Sequence, residues 1–234
     1  MEDIRDLRRE AFLVAVDYLR RGVPLLGTFG EVDEARIRGW GMMSLPLESV
    51  DSAIFAYGER KETCDVINAT RIYLETGKCP ILFAARGFLT DGHCPAMDAL
   101  LRGTGKPLFH PEDLDGPLFS ECQWQEEVYE EAKEELQKME ALVKKKEGMS
   151  EAWALALLYG QYIPDLRERR RFLEEVLPRL PKGEGERRSL CCGRGILNEK
   201  HTGRIVITPG PADIAPKGCI FGAKEERPYE GGDQ

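Results

Sequence analysis

Two cysteines each lie directly before a segment with the pattern of an amphipathic helix. Cys64 precedes DVINATRIYLETG, and Cys94, 30 positions further along the chain, precedes PAMDALLRG. A thiolate at the start of a helix is stabilised by the helix dipole and by unpaired amide groups. Such a thiolate can bind a soft metal ion or an iron–sulfur cluster. Small buried thiols have the same pattern, so the spacing leaves both interpretations open.

One carboxylate has a comparable position. Glu48 directly follows the apolar segment MMSLPL (42–47), which has the composition of a buried strand. A carboxylate at the end of a strand can serve as a proton acceptor when it is removed from water. A solvated surface carboxylate is the simpler interpretation, and the sequence leaves both open.

The other polar residues near these positions have structural explanations. Asp91 and Asp98, on either side of Cys94, have the positions of a turn residue and a helix-face residue. The sequence contains no CxxC, HExxH, P-loop or GxGxxG motif, so zinc hydrolysis, nucleotide hydrolysis and dinucleotide binding have no support from a motif. The scattered positions of the histidines favour surface or turn roles for His93, His110 and His201.

The elements that must position these residues alternate between short apolar segments and helical patterns over the first 120 residues. Strands are predicted at 23–29, 42–47, 79–85 and within KPLFHP, with helices between them. Such alternation is typical of an α/β fold, in which a parallel sheet has helices on its faces. Ligands of such sheets bind outside the carboxyl ends of the strands, where the segments before Cys64 and Cys94 are expected to lie.

A helical section follows. The segment ECQWQEEVYEEAKEELQKMEALVKKKEG (121–148) is predicted as one long charged helix. Ser150 is predicted to cap the next helix and Pro164 to lie in the first turn of the last one, which ends near 178. GRIVITPG (203–210) is predicted as the first strand of an incomplete second α/β unit, followed by a disordered tail. The predicted division is a Rossmann-like domain at 1–120, the helical section at 121–180 and the second-domain remnant with its flexible tail at 181–234.

Composition narrows the class of protein. The 33 basic and 41 acidic residues give a net charge of −8, which argues against a nucleic-acid or anionic membrane surface, because phosphate binding needs clustered positive charge. The sequence has no apolar run of about 18 residues and no signal-peptide pattern at its start, so we expect a cytoplasmic protein that does not span a membrane. In a reducing compartment its seven cysteines are expected to be free, metal-bound or catalytic.

Two blocks of the sequence resemble a known family. GVPLLGTFGEVDEARIRGWGMMSLPLE resembles the first strand–helix–strand of the 2-hydroxyacyl-CoA dehydratase component that carries the iron–sulfur cluster, a segment shared with the cluster subunits of benzoyl-CoA reductase. CDVINATRIYLETGKCPILFAARGFLTDGHCPAMDALLRGTGKPLFHPED resembles the next block of the family, including its two cysteines at about this separation. The similarity covers residues 22–115 well and residues 200–231 loosely.

The resemblance implies a specific chemistry. Members have Rossmann-like domains, hold a [4Fe–4S] cluster through three cysteines, pair with a related subunit and receive an electron from an ATP-dependent activator. The cluster reduces an acyl-CoA thioester to a ketyl radical, which expels the 2-hydroxyl group. By this resemblance Cys64 and Cys94 are cluster ligands, and Glu48 falls near an acidic position implicated in proton transfer. The third cysteine of the family belongs to the second domain, and Cys219 aligns with a different family cysteine.

Two functional expectations follow. The first is a 2-hydroxyacyl-CoA dehydratase-like [4Fe–4S] subunit, a lyase that removes water from a 2-hydroxyacyl-CoA. The second is a non-catalytic α/β partner or scaffold subunit, in which the cysteines are structural and the charged helices at 122–178 contact a partner. Neither involves nucleic acid or a membrane.

Overall fold

The computed structural model describes residues 6–47, 52–59, 61, 65–144 and 151–180. The predicted incomplete second α/β unit and its tail at 181–234 therefore lie outside the described residues. Glu48, Cys64 and Ser150 lie outside them as well. The described part comprises one sheet and the helices around it.

Within these ranges the chain forms eight α-helices and four strands. In chain order they are α1 (Asp6–Arg21), β1 (Leu25–Phe29), α2 (Glu34–Gly39), β2 (Met43–Pro46), α3 (Asp65–Thr76), α4 (Pro80–Ala84), β3 (Gly87–Thr90), α5 (Pro95–Arg102), β4 (Leu108–Phe109), α6 (Glu126–Lys144), α7 (Glu151–Gly160) and α8 (Leu166–Val176). Short 3₁₀ helices lie at Ser52–Tyr57, Pro111–Asp115 and Leu177–Arg179. Among the described residues, no helix has the length and apolar character that crossing a bilayer requires.

The described strands pair in parallel, in the spatial order β2-β1-β3-β4. This arrangement confirms the predicted α/β class with a parallel sheet. The chain passes from β1 to β2 on one side and then returns to form β3 and β4 on the other side of β1. In an open parallel sheet, such a reversal leaves a crevice between the loops that follow the two inner strands, here β1 and β3, and ligands bind in that crevice.

The central strand β1 is buried along its whole length. A strand covered on both faces reads as a nearly continuous apolar run rather than as an alternation, which explains why LLGTF is recognisable from sequence. Gly27 allows the neighbouring strand to approach closely, because a Cβ atom at this position would lie 2.9 Å from the ring of Phe88 on β3. The two inner strands therefore pack without a side chain between them at this point.

The prediction of a strand at 79–85 is wrong. Pro80–Ala84 forms the short helix α4, with Cys79 in an extended conformation at its N-cap and Pro80 in its first turn. The strand lies further on, at Gly87–Thr90. Both segments are short and largely apolar, most of their residues are buried, and periodicity alone cannot assign such a segment to a helix or a strand. Proline is pre-organised for the first helical position, where its missing N–H is not needed, and this favours the helix.

Lys106 provides the partner for the carboxyl end of α4. Its Nζ donates hydrogen bonds to the carbonyl oxygens of Leu82 at 2.9 Å, Phe83 at 2.7 Å and Ala85 at 2.5 Å. The last carbonyl groups of a helix have no partner within the helix, so one ammonium group here replaces a backbone cap. This contact ties the segment before β4 to α4 and stabilises a helix of only five residues.

The last helix begins later than predicted. Pro164 does not lie in its first turn, because α8 begins at Leu166 and Asp165 is its N-cap. The Asp165 carboxylate accepts a hydrogen bond from the backbone amide of Glu168 at 2.9 Å. A carboxylate in this position satisfies an amide of the first turn, so Asp165 sets the boundary and Pro164 lies outside it.

The long charged helix is also shorter at its start than predicted. It begins at Glu126, because the backbone amide of Gln125 bonds to the carbonyl oxygen of Gly39 at 2.7 Å. Trp124 packs edge-on against Trp40 with ring centroids 5.2 Å apart. A Cβ atom on Gly39 would lie 2.7 Å from the Trp124 ring, so the close contact between the end of α2 and the start of α6 depends on this glycine.

A buried ion pair joins α8, in the helical section, to α2. Arg169 on α8 is 3% exposed, and Glu34 at the start of α2 is 6% exposed. The guanidinium of Arg169 donates to Oε2 of Glu34 at 2.7 Å and to Oε1 at 3.0 Å. Arg38, one turn later on α2, donates to the same carboxylate at 2.9 Å and to the carbonyl oxygen of Pro164 at 2.5 Å. Two guanidinium groups therefore offset the cost of burying one carboxylate.

Replacing Arg169 with methionine removes half of this arrangement. We expect Arg169→Met to lower the free energy of unfolding by about 3 kcal/mol, because it leaves a buried carboxylate with one guanidinium fewer. Urea unfolding followed by circular dichroism measures the change.

Arg167→Met is the matched control on the same helix, since Arg167 pairs with Glu131 at 2.7 Å with both side chains largely exposed. Exposed pairs contribute little, so the control should stay within about 0.5 kcal/mol of the parent chain. Equal losses in the two variants would contradict the assignment.

Candidate functional site

The loops that follow β1, β3 and β4 meet at the carboxyl edge of the sheet. The first residues after these strands are Gly30, Asp91 and His110. Two side chains join the loops: Asp91 reaches the loop after β1, and His110 reaches the end of β3. The edge includes the crevice between β1 and β3, so polar groups gather where an α/β sheet binds ligands.

Cys94 lies at this edge as the N-cap residue of α5. Its backbone is extended, Pro95 lies in the first turn, and the thiol makes no capping hydrogen bond. The residue is 5% exposed, forms no disulfide, and belongs to the same hydrophobic cluster as Phe88 and Met97. A thiolate in this position faces the amide end of a helix, which favours the charged form, whereas the apolar surroundings favour the neutral thiol.

Asp91 holds two loops together. Its carboxylate accepts hydrogen bonds from the backbone amide of Glu31, in the loop after β1, and from that of His93, each at 3.0 Å. Nδ1 of His93 lies 3.3 Å from the same carboxylate. Hydrogen bonds to an ionised carboxylate are stronger than those between neutral groups. One side chain therefore connects the two loops that border the crevice.

Gly30 provides the space for this carboxylate. Its φ of +83° lies in the left-handed region, which other residue types adopt only at a cost. A Cβ atom built on Gly30 would lie 2.2 Å from the carboxyl carbon of Asp91, much closer than any van der Waals contact. Both the backbone conformation and the approach of Asp91 therefore require glycine at this position.

A second polar group connects β3, α5 and β4. The hydroxyl of Thr90 donates to Oδ1 of Asp98 at 2.7 Å, and both residues are buried. Since the hydroxyl has one proton and gives it to Asp98, its oxygen accepts from Nδ1 of His110, which lies 3.3 Å away. Nε2 of His110 is 3.8 Å from Oδ2 of Asp98, too long for a direct hydrogen bond. Thr90 is thus the link between the imidazole and the buried carboxylate.

The structure describes one of the three residues that the sequence selected. Cys94 lies at the start of a helix at the carboxyl edge, whereas Glu48 and Cys64 lie outside the described residues. The helix α3 begins at Asp65, the residue after Cys64, and packs against α5. The helices that follow the two cysteines are therefore neighbours, and the expectation that the two thiols share a site stays a prediction.

The other two described cysteines are also buried, Cys79 in the same hydrophobic cluster as Cys94 and Cys122 in another. The thiol of Cys79 lies 3.9 Å from the buried guanidinium of Arg8. Burial raises the pKa of the Cys122 thiol, which keeps it neutral at pH 7. Over the described ranges no three histidine, cysteine or acidic side chains have the geometry to hold a metal ion.

Sequence reasoning assigned Asp91 to a turn and Asp98 to a helix face; Asp98 lies in α5, and Asp91 lies in the loop that follows β3. What it missed is the contact each makes, because Asp91 meets a loop 60 positions earlier in the chain. His110 was assigned to a surface or turn role; it is the N-cap of the 3₁₀ helix Pro111–Asp115, and its side chain also contacts Thr90. A positional signal was available for two of these residues, since His110 lies in the segment KPLFHP with its predicted strand and Asp98 in the helix predicted after Cys94, whereas no strand was predicted next to Asp91.

No protein-family model matches this chain, and no curated protein matches it.

Replacing Thr90 with valine tests the link between β3, α5 and β4. Thr90→Val keeps the shape but leaves the buried carboxylate of Asp98 without its hydroxyl donor, so we expect the free energy of unfolding to fall by about 1–3 kcal/mol. Thr90→Ser keeps the hydroxyl group and should retain most of the stability. Urea unfolding of the two variants measures the difference, and a serine variant no more stable than the valine variant would contradict the role of the hydroxyl.

Proposed function

We propose that this chain is a cytoplasmic 2-hydroxyacyl-CoA dehydratase-like subunit that holds a [4Fe–4S] cluster. Cys64 and Cys94 are the proposed ligands and Glu48 the proposed proton acceptor. The observation that carries the proposal is the place of Cys94. It is the N-cap cysteine of α5 at the carboxyl edge of a parallel sheet, and it forms no disulfide.

The chemistry of Cys94 fits a cluster ligand. Iron–sulfur clusters are held by thiolates, and a thiolate is favoured at the amide end of a helix. Cys94 is also covered by the hydrophobic cluster that contains Phe88 and Met97, which limits access of water. The apolar shell around a metal site controls solvent access and the reduction potential. The surroundings of Cys94 therefore support it as one proposed ligand, and Cys64 is proposed as the second.

A bound cluster would supply electrons of low potential for the removal of water from a 2-hydroxyacyl-CoA. The chain itself would hold the cluster between the starts of two helices, α3 and α5, which pack together. Glu48, two positions after the last residue of β2, is the proposed proton acceptor. A related dehydratase subunit and an ATP-dependent activator are the proposed partners, and an acyl-CoA is the proposed substrate.

The second candidate is a non-catalytic α/β partner or scaffold subunit. Burial of Cys94 favours it, because a structural thiol at the start of a helix is expected to be covered by apolar side chains. In this candidate the charged helices after residue 122 contact the partner. The two candidates differ in whether the thiol binds iron, so iron content separates them.

The first experiment is anaerobic purification and reconstitution with iron and sulfide. If the chain holds a cluster, we expect stoichiometric iron and the broad visible absorbance of an iron–sulfur cluster, both strongly reduced by Cys64→Ala and by Cys94→Ala. Cys122→Ala and Cys79→Ala are the matched controls, since these thiols are buried elsewhere in the chain. An iron content near zero, or one that is the same in all four variants, would contradict the proposal of a cluster and favour the scaffold subunit.

If iron binds, a second measurement distinguishes an enzyme from an electron carrier. The reconstituted chain is mixed with a related subunit, an activator, ATP and a 2-hydroxyacyl-CoA, and formation of the unsaturated thioester is followed. Activity that disappears in Glu48→Gln while iron content is retained supports the proposed proton acceptor. Activity that is unchanged in this variant assigns that role to another group.

A further inference from the structure

We propose that Asp91, packed against Gly30, is the positioning residue that holds Cys94 at the carboxyl edge of the sheet. The inference rests on the proposed function only in taking Cys94 as the residue that must be held. The contacts of Asp91 do not depend on a bound cluster. From the sequence, Asp91 is expected only to be a turn residue.

The first step is the position of the Asp91 carboxylate. Its side chain is 5% exposed, and it accepts two backbone amide hydrogen bonds at 3.0 Å from opposite sides of the crevice. One donor, Glu31, belongs to the loop after β1, and the other, His93, belongs to the loop after β3. Removal of this carboxylate leaves both amides to find water or another acceptor, and each loop loses its connection to the other.

The second step is the connection to Cys94. His93, whose amide Asp91 binds, is the residue directly before Cys94. On the other side of the cysteine, the amide of Asp98 bonds to the carbonyl oxygen of Cys94 at 3.0 Å, and the Asp98 carboxylate is held by Thr90. The Cys94 backbone therefore lies between two anchored points. The contacts after Cys94 are fixed by α5 and β3. The contact before it, at the amide of His93, is the one that Asp91 controls.

The third step is the dependence on Gly30. The carboxyl carbon of Asp91 occupies space that a Cβ atom on Gly30 would fill, since the two would be 2.2 Å apart. Any side chain at Gly30 must therefore displace Asp91 or the loop after β1. This is a direct steric link between the first loop of the sheet and the segment that ends in Cys94.

Thiol alkylation measured for each cysteine separately tests the proposal. Trypsin places Cys94 in the peptide 87–102, Cys79 in 79–86 and Cys122 in 103–133, so mass spectrometry follows the three described thiols in one sample. In Asp91→Ala we expect iodoacetamide to react with Cys94 faster by at least about tenfold, which corresponds to about 1.4 kcal/mol of lost local stability. The rates at Cys79 and Cys122 should stay within a factor of about two, because local opening leaves the rest of the core closed.

Three further variants separate positioning from general loss of stability. Asp91→Asn keeps one oxygen acceptor and should give a Cys94 rate between those of the parent chain and Asp91→Ala. Gly30→Ala should also raise the rate of alkylation at Cys94, because the added Cβ atom displaces Asp91. Asp115→Ala is the matched control: this aspartate is exposed, pairs only on the surface with Arg36, and should leave the Cys94 rate unchanged.

Two outcomes would overturn the proposal. One is a Cys94 rate in Asp91→Ala equal to that of the parent chain. The other is a parallel rise at all three cysteines, which would show that Asp91 contributes only to global stability. The alkylation experiment uses the chain without iron. A failure of the positioning role can therefore be distinguished from a failure of the proposed function. If Asp91→Ala selectively exposes Cys94 and the chain binds no iron, the positioning role is supported and the proposal of a cluster is contradicted.

Discussion

Burial of β1 on both faces and at both edges constrains the rest of the fold. Because β2 and β3 both pair with β1, the chain must reverse direction across the sheet after β2. The reversal leaves the loops after β1 and β3 with no strand between them to fill the space at the carboxyl edge. Polar contacts fill it instead, through Asp91 and its two amide partners. The candidate site is therefore a direct consequence of strand order, and its position would be the same whatever ligand the protein binds.

The helical section depends on the same constraint through α2, which follows β1. Glu34 begins this helix and is buried against α8, so its carboxylate needs a second positive partner besides Arg38 of the same helix. Arg169 meets it from 135 positions away. A buried carboxylate without these partners would be strongly unfavourable, which makes the docking of α8 specific as well as stable. The same short helix thus lies between the crevice at one end and the helical layer along its side.

Local patterns predicted much of the fold, and long-range contacts account for what they missed. LLGTF was recognisable as a strand because a strand buried on both faces needs an unbroken apolar run. CPILFAA was assigned to a strand and forms a helix, because an apolar run of this length satisfies either geometry and only the surrounding core decides. The start of a helix after Cys94 was predictable from Pro95. The carboxylate of Asp91 was not, since its role depends on a backbone amide in another loop and on the missing Cβ atom of Gly30.

The opposing influences on Cys94 give the site its chemical character. The start of α5 favours a thiolate, and the hydrophobic cluster around the side chain favours a neutral thiol. A nearby positive charge, such as a metal ion, or a movement of the loop before the cysteine would shift this balance. Asp91 opposes the second event by holding the amide of His93. The contacts of this loop therefore hold Cys94 in its buried position at the carboxyl edge of the sheet.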